Sequence, residues 1–198
     1  MPELAANFWD ERYRNRQTGW DIGYASPALV DFTAGWPRKD GPVLIPGCGN
    51  AHEAAALLEQ GFANITLLDI SPFLTASIRD RFSGTGLQVV TGDFFEHTGS
   101  YALILEQTFF CALDPLLRPA YVAHMHQLLH PGGILAGLLF NRDFEGGPPF
   151  GGNEDEYRRL FAPYFELKKM ELCTNSIPPR AGSELFFVAQ KSAASHLP

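Results

Sequence analysis

An apolar run, Pro42-Val-Leu-Ile-Pro46, ends in Gly47-Cys48-Gly49, and Asp69 closes the next apolar run, Ile65-Thr-Leu-Leu68. That pairing restricts the chain more than any other feature. Glycines let a strand turn sharply and bring its backbone close to a ligand, and a carboxylate about 20 residues on, at the tip of a second parallel strand, accepts ribose hydroxyls. The spacing describes a nucleotide-type cofactor site. An ordinary tight turn at Gly47–Gly49, and an Asp69 that merely caps the next helix, are the structural alternatives.

The surrounding pattern supports an alternating fold. Helices are expected at residues 8–15 and 27–32, then a strand at 43–45, a helix at 52–59, a strand at 64–68 and a helix at 73–82 opening with Ser71-Pro72. Leu87–Thr91 and Tyr101–Leu105 read as strands, Pro119–Leu129 as a helix, and Ile134–Phe140 as a continuous apolar strand after a His130-Pro-Gly-Gly133 turn. A helix at 155–161 and strands at 166–173 and 184–190, paired as a hairpin, complete the series. Continuous apolar runs suit parallel strands covered on both faces. The expected fold is α/β, a doubly wound sheet whose final strand is inserted antiparallel, with ligands at the carboxyl ends of the strands. Gly47, Asp69, Asp93 and Glu106 then share one rim, because each follows an apolar strand.

A complete dinucleotide fingerprint needs a third glycine at position 52, where the chain has His52. That glycine serves close packing near a pyrophosphate, which a methyl donor lacks. S-adenosylmethionine therefore fits the loop better than a nicotinamide dinucleotide. Asp93, in Gly92-Asp-Phe-Phe95 after the third strand, is suited to the adenine edge.

At 198 residues and a net charge of −7, the chain has material for one domain, and no run of Lys or Arg exceeds two. We expect a single domain over 1–198, with 1–40 as lid and helices and 41–198 as sheet core. Acidity argues against nucleic acid as a partner, and no apolar run reaches membrane-spanning length. A small-molecule or anionic acceptor, a cytoplasmic location, and a monomer, with a dimer as the alternative, are expected. Cys48, Cys111 and Cys173 fit neither a disulfide framework nor a metal-ligand spacing, and His124, His126 and His130 lack companion ligands, so no metal is expected. Cys111, in Phe-Phe-Cys-Ala-Leu, reads as a buried thiol.

In order along the chain, Ile45-Pro-Gly-Cys-Gly49, Leu67-Leu-Asp-Ile-Ser71 and Gly92-Asp-Phe-Phe95 resemble class I S-adenosylmethionine-dependent methyltransferases. Trp9-Asp-Glu-Arg-Tyr13 through Trp20-Asp-Ile-Gly23, Thr108-Phe-Phe-Cys-Ala-Leu-Asp-Pro-Leu-Leu-Arg-Pro-Ala-Tyr121 and Gly146-Gly-Pro-Pro-Phe150 look like the thiopurine S-methyltransferase superfamily, especially its halide and thiol branch. The resemblance implies a Rossmann-like fold with a seven-stranded sheet, a C-terminal antiparallel hairpin and an N-terminal helical lid. It also implies a lid of Trp9, Tyr13 and Trp20 over the methionine end of the cofactor. Ile45, Pro46 and Gly47 would contact the cofactor, Asp69 the ribose, and Asp93 and Phe94 the adenine. Glu106 and Gln107 would stand beside the sulfonium.

Trp20, Phe109, Phe110, Arg118 and Phe150 are candidate acceptor-pocket residues, and Asn141–Asn153 is a candidate lid loop. Trp9 and Tyr13, four apart on a helix, are equally suited to anchoring that helix, and Arg118 to pairing with Asp114. Displacement at a sulfonium needs alignment and exclusion of water, and a soft anionic nucleophile needs no proton removed. No single side chain is therefore expected to act as a strong acid or base. The expected reaction is methyl transfer to a thiol, thiopurine sulfur, bisulfide or halide. The alternatives are an O- or N-methyltransferase, a nicotinamide-dependent oxidoreductase, and a noncatalytic cofactor-binding protein.

Overall fold

A computed structural model describes residues 4–192 of the chain. Two compact units meet in sequence between His97 and Thr98. Across the sheet the strands run in the order Gln88–Thr91, Ile65–Asp69, Val43–Pro46, Tyr101–Gln107, Leu129–Phe140, Glu184–Lys191 and Phe165–Leu172, the doubly wound architecture expected from the sequence.

The N-terminal unit holds α1 (Ala6–Arg14), α2 (Pro27–Ala34), β1 (Val43–Pro46), α3 (His52–Glu59), β2 (Ile65–Asp69), α4 (Pro72–Arg81) and β3 (Gln88–Thr91). β1 pairs in parallel with β2, and β2 with β3, so that Ile45 lies beside Leu67 and Asp69 beside Thr91. Every residue of β1 and β2 is buried, which is why these strands are largely apolar rather than alternating. α4 starts where expected: the Ser71 side chain accepts the Leu74 N–H at 3.1 Å, and Pro72 follows at the first helical position.

In the C-terminal unit are β4 (Tyr101–Gln107), α5 (Arg118–Leu128), β5 (Leu129–Phe140), α6 (Glu154–Phe161), β6 (Phe165–Leu172) and β7 (Glu184–Lys191). β4 and β5 are parallel, whereas β7 runs antiparallel to both β5 and β6. Tyr121, Val122, Met125 and Leu128 give α5 its buried stripe, and Tyr157 and Phe161 do the same for α6.

One expectation needs correction. The His130–Gly133 turn lies inside β5: Tyr101 pairs with Leu129 and Leu103 with Ile134, so the extra residues form an irregularity in a longer strand. Gly132, at φ +79°, supplies the backbone freedom this needs. The acidic loop after β3 also contains a short 3-10 turn, Phe94–Glu96, capped by Asp93, whose carboxylate accepts the Phe95 N–H at 2.8 Å.

Candidate active site

In the N-terminal unit the glycine loop is built by backbone conformation. Gly47, Gly49 and Ala51 have φ of 55°, 51° and 52°. Three left-handed residues in five turn the chain from β1 into α3 and leave the loop amides near the tip of β2. There Gly49 N–H donates to Asp69 Oδ2 at 3.2 Å, and Ser71 N–H donates to Oδ1 at 3.0 Å. Each Asp69 oxygen retains accepting capacity, and this pair of acceptors fits a ribose diol. Capping of α4 falls to Ser71, so the helix-cap alternative for Asp69 does not hold. Burial pushes the Asp69 carboxyl up to about 6 against the opposing pull of its backbone hydrogen bonds.

Above this loop lie the aromatic rings of the N-terminal segment. Trp20 meets Trp9 edge to face at 5.6 Å and Tyr13 at 5.8 Å. No α1 side chain is fully buried. A side chain added at Gly49 would meet the Tyr13 hydroxyl at 3.4 Å, so Tyr13 reaches the glycine loop.

Two carboxylates that sequence reasoning missed fix this segment. Asp10 accepts from the Ser71 hydroxyl and from Phe73 N–H at the start of α4. Asp21 takes Gly23 N–H at 2.7 Å, the Asn50 amide, and His52 Nε2 at 2.8 Å. The position where a dinucleotide fingerprint has glycine is thus used to hold the Trp20 loop. Asp21 stands in Trp20-Asp-Ile-Gly23, but no local spacing links it to His52.

Other cofactor candidates differ in exposure. Ile45 and Pro46 are buried in β1, so the Ile45 side chain belongs to the core and any ligand contact falls to backbone. Phe94 is buried, and Asp93 is exposed.

In the C-terminal unit Glu106 is completely buried at the end of β4. Its Oε1 accepts Phe109 N–H at 2.8 Å and Phe110 N–H at 2.9 Å, while Tyr121 Oη donates to Oε2 at 2.5 Å. Burial raises the Glu106 carboxyl to about 7 despite these donors. Among the described residues no group hydrogen-bonds the buried Gln107 Oε1.

The pocket candidates separate into two groups. Phe110 packs edge to face on Tyr121 at 5.1 Å and Tyr157 at 5.5 Å and is almost fully buried, so it serves the core and is withdrawn as a pocket residue. Phe109 and Phe150 are half-buried. Phe150 N–H donates to Cys111 O at 2.7 Å, which ties the Gly-Pro loop to the turn after β4.

Arg118 does not pair with Asp114, whose carboxylate instead accepts Leu116 N–H. Arg118 donates to Glu156 at 2.6 Å and to Gly151 O at 2.7 Å, with its guanidinium 4.8 Å from the Phe110 ring centroid. The loop is closed further by Gly152 N–H to Arg142 O. Cys111 is buried, which pushes its thiol far above its ordinary range, so it is no nucleophile at neutral pH. Among the described residues no cluster of metal-ligating side chains occurs, and no helix is long and apolar enough to cross a membrane.

Strand order, glycine loop and the carboxylate at the tip of β2 define the class I methyltransferase fold. A solved structure of the 1,6-didemethyltoxoflavin-N1-methyltransferase of Burkholderia thailandensis shares it, with a TM-score of 0.75 at 23% identity over 96% of this chain and 88% of that one. The family model described as thiopurine S-methyltransferase matches residues 4–191, and the chain belongs to that family. Among similar proteins, probable thiol methyltransferase 2 of Arabidopsis thaliana is 30% identical, covering 99% of this chain and 90% of its own length. Thiocyanate methyltransferase 1 of the same plant is also 30% identical, over 89% and 81%. The chain is accordingly an S-adenosylmethionine-dependent methyltransferase.

Proposed function

We propose that the chain methylates the sulfur of a small soft nucleophile, a thiol or thiopurine first, with bisulfide, thiocyanate or halide as further acceptors. The observation that carries this reading is the inward turn of Glu106. The acid at the end of β4 is completely buried, with its oxygens accepting from Phe109, Phe110 and Tyr121, which leaves half-buried aromatic rings, Phe109 and Phe150, as the side chains for an acceptor to meet. An apolar aromatic lining strips water from a soft anion, and a thiol reacts as its thiolate after its proton has gone to solvent, so the lining needs no proton acceptor of its own.

The bound cofactor supplies an electrophilic methyl group on a sulfonium. In this reading Asp69 accepts from its ribose hydroxyls, the Gly47–Gly49 backbone approaches it closely, and Trp9, Tyr13 and Trp20 form the lid. Asp93 and Phe94 frame the adenine, and the unpartnered Oε1 of Gln107 accepts from a ligand. A cytoplasmic location suits the three cysteines, all buried free thiols.

The test is S-adenosylhomocysteine formation with a small thiol, a thiopurine, bisulfide, thiocyanate and iodide supplied separately. Turnover with sulfur acceptors is expected. Turnover confined to oxygen or nitrogen acceptors would overturn the reading.

A further inference from the structure

We propose that Glu106 is a positioning residue: it sets the turn after β4 and, through that turn, the Gly146–Gly152 loop, and so fixes the shape that the acceptor meets. The acceptor's identity rests on the soft-nucleophile reading; the positioning itself does not.

The socket is built from both neighbouring elements. Glu106 pairs with Gly137 of β5, where an added Cβ would overlap the Cβ and the carbonyl oxygen of Glu106. Only glycine fits beside the acid in this register. From α5 the Tyr121 hydroxyl closes the second carboxylate oxygen. The first oxygen binds the amides of Phe109 and Phe110, directly after Thr108, a non-glycine residue at φ +59°. A left-handed threonine persists only where its surroundings hold it, and the two amide bonds to Glu106 do so.

What the turn fixes extends further. The Cys111 carbonyl leaving it accepts Phe150 N–H, while Arg118, packed on Phe110, holds Gly151 O. Displacing the turn therefore displaces Phe109 and Phe150 together. Glu106 is completely buried and its contacts face the next turn and α5, whereas those of Asp69 face the glycine loop and the start of α4.

Three variants test the proposal: Glu106→Gln, Glu106→Leu and Tyr121→Phe. Amide hydrogen exchange is followed in segments 108–112 and 146–152, S-adenosylhomocysteine affinity is measured by calorimetry, and thiophenol kinetics are measured with S-adenosylmethionine. Gln keeps an oxygen for both amides, so Glu106→Gln should preserve protection in both segments and hold the thiophenol KM within about twofold. Glu106→Leu should lose protection in both segments and lower kcat/KM for thiophenol about 10- to 100-fold with unchanged S-adenosylhomocysteine affinity. If Glu106→Leu does not fold, Tyr121→Phe carries the same expectation at smaller amplitude.

Weakened S-adenosylhomocysteine binding in Glu106→Gln or Tyr121→Phe would make Glu106 a cofactor ligand and overturn the proposal. So would unchanged protection of 146–152 in Glu106→Leu. If thiophenol is not methylated by the unaltered enzyme, the acceptor reading fails, and the exchange data still decide the role of Glu106.

Discussion

Oδ1 of Asp21 lies 2.8 Å from Nε2 of His52 while also accepting the Gly23 N–H, so a side chain from the first turn of α3 holds the loop that carries Trp20. The other oxygen takes the Asn50 amide, at the end of the glycine loop. The segment expected to cover the cofactor is thereby fastened to the loop expected to bind it.

Asp21→Asn and His52→Ala should each loosen the Trp20 loop without unfolding the unit. A partly exposed charge-assisted hydrogen bond is worth about 1 kcal/mol, so S-adenosylhomocysteine affinity should fall roughly fivefold. Calorimetry measures the loss, and quenching of tryptophan fluorescence by acrylamide, rising in both variants, reports the loosened lid. Unchanged affinity in both would make the contact a structural tie only.

Asp69 gives a pH signature for cofactor binding. Burial raises its carboxyl to about 6. The charged form is the better acceptor for ribose hydroxyls, so affinity should be constant above that value and fall as pH drops through it, by up to about tenfold per pH unit. Asp69→Asn should bind weakly and lose the dependence. Titrations of S-adenosylhomocysteine from about pH 5 to about pH 8 check both.

The parts of this architecture that follow from local chemistry were legible in the sequence. The buried run Val43–Pro46, the Ser71-Pro72 helix start and the glycine loop are each specified by neighbouring residues. Long-range partners were not legible. Arg118 has a possible partner four residues back at Asp114, yet it pairs with Glu156, 38 positions away, because α6 packs beside α5. Glu106 follows an apolar strand just as Asp69 does. Nothing local indicates that its carboxylate folds back onto the next turn, since that depends on Tyr121 of α5 and on space left by Gly137 of β5.

Glu106 should also shape stability against pH. Its carboxyl is raised from 4.5 to about 7, so the folded state holds the proton more tightly than the unfolded chain. The contribution is fully present below 4.5 and is lost as pH rises through about 7. Relative to Glu106→Gln, the unaltered chain should lose about 3 kcal/mol between about pH 4 and about pH 8. Urea unfolding of both chains across that range measures the difference. A parallel pair of curves would show that Glu106 does not titrate there.

Arg118 separates the weight of an ion pair from that of a buried fork. Its side chain is only 5% exposed, whereas that of its partner Glu156 is 37% exposed. Solvent screening of Glu156 limits the charge pair to about 1 kcal/mol or less. The bond to Gly151 O is part-buried and the stacking is on the buried Phe110 ring, and together they are worth about 2–4 kcal/mol. Glu156→Gln should therefore cost less than about 1 kcal/mol, whereas Arg118→Lys, which loses the planar fork, should cost about 2 kcal/mol. Urea unfolding checks the order. The same pair of variants addresses acceptor binding: if Arg118 met the acceptor's charge, Arg118→Lys would raise KM for thiocyanate far more than for a neutral thiol. With the guanidinium committed to Gly151 and Glu156, both KM values should instead move together, as the Gly-Pro loop carrying Phe150 shifts.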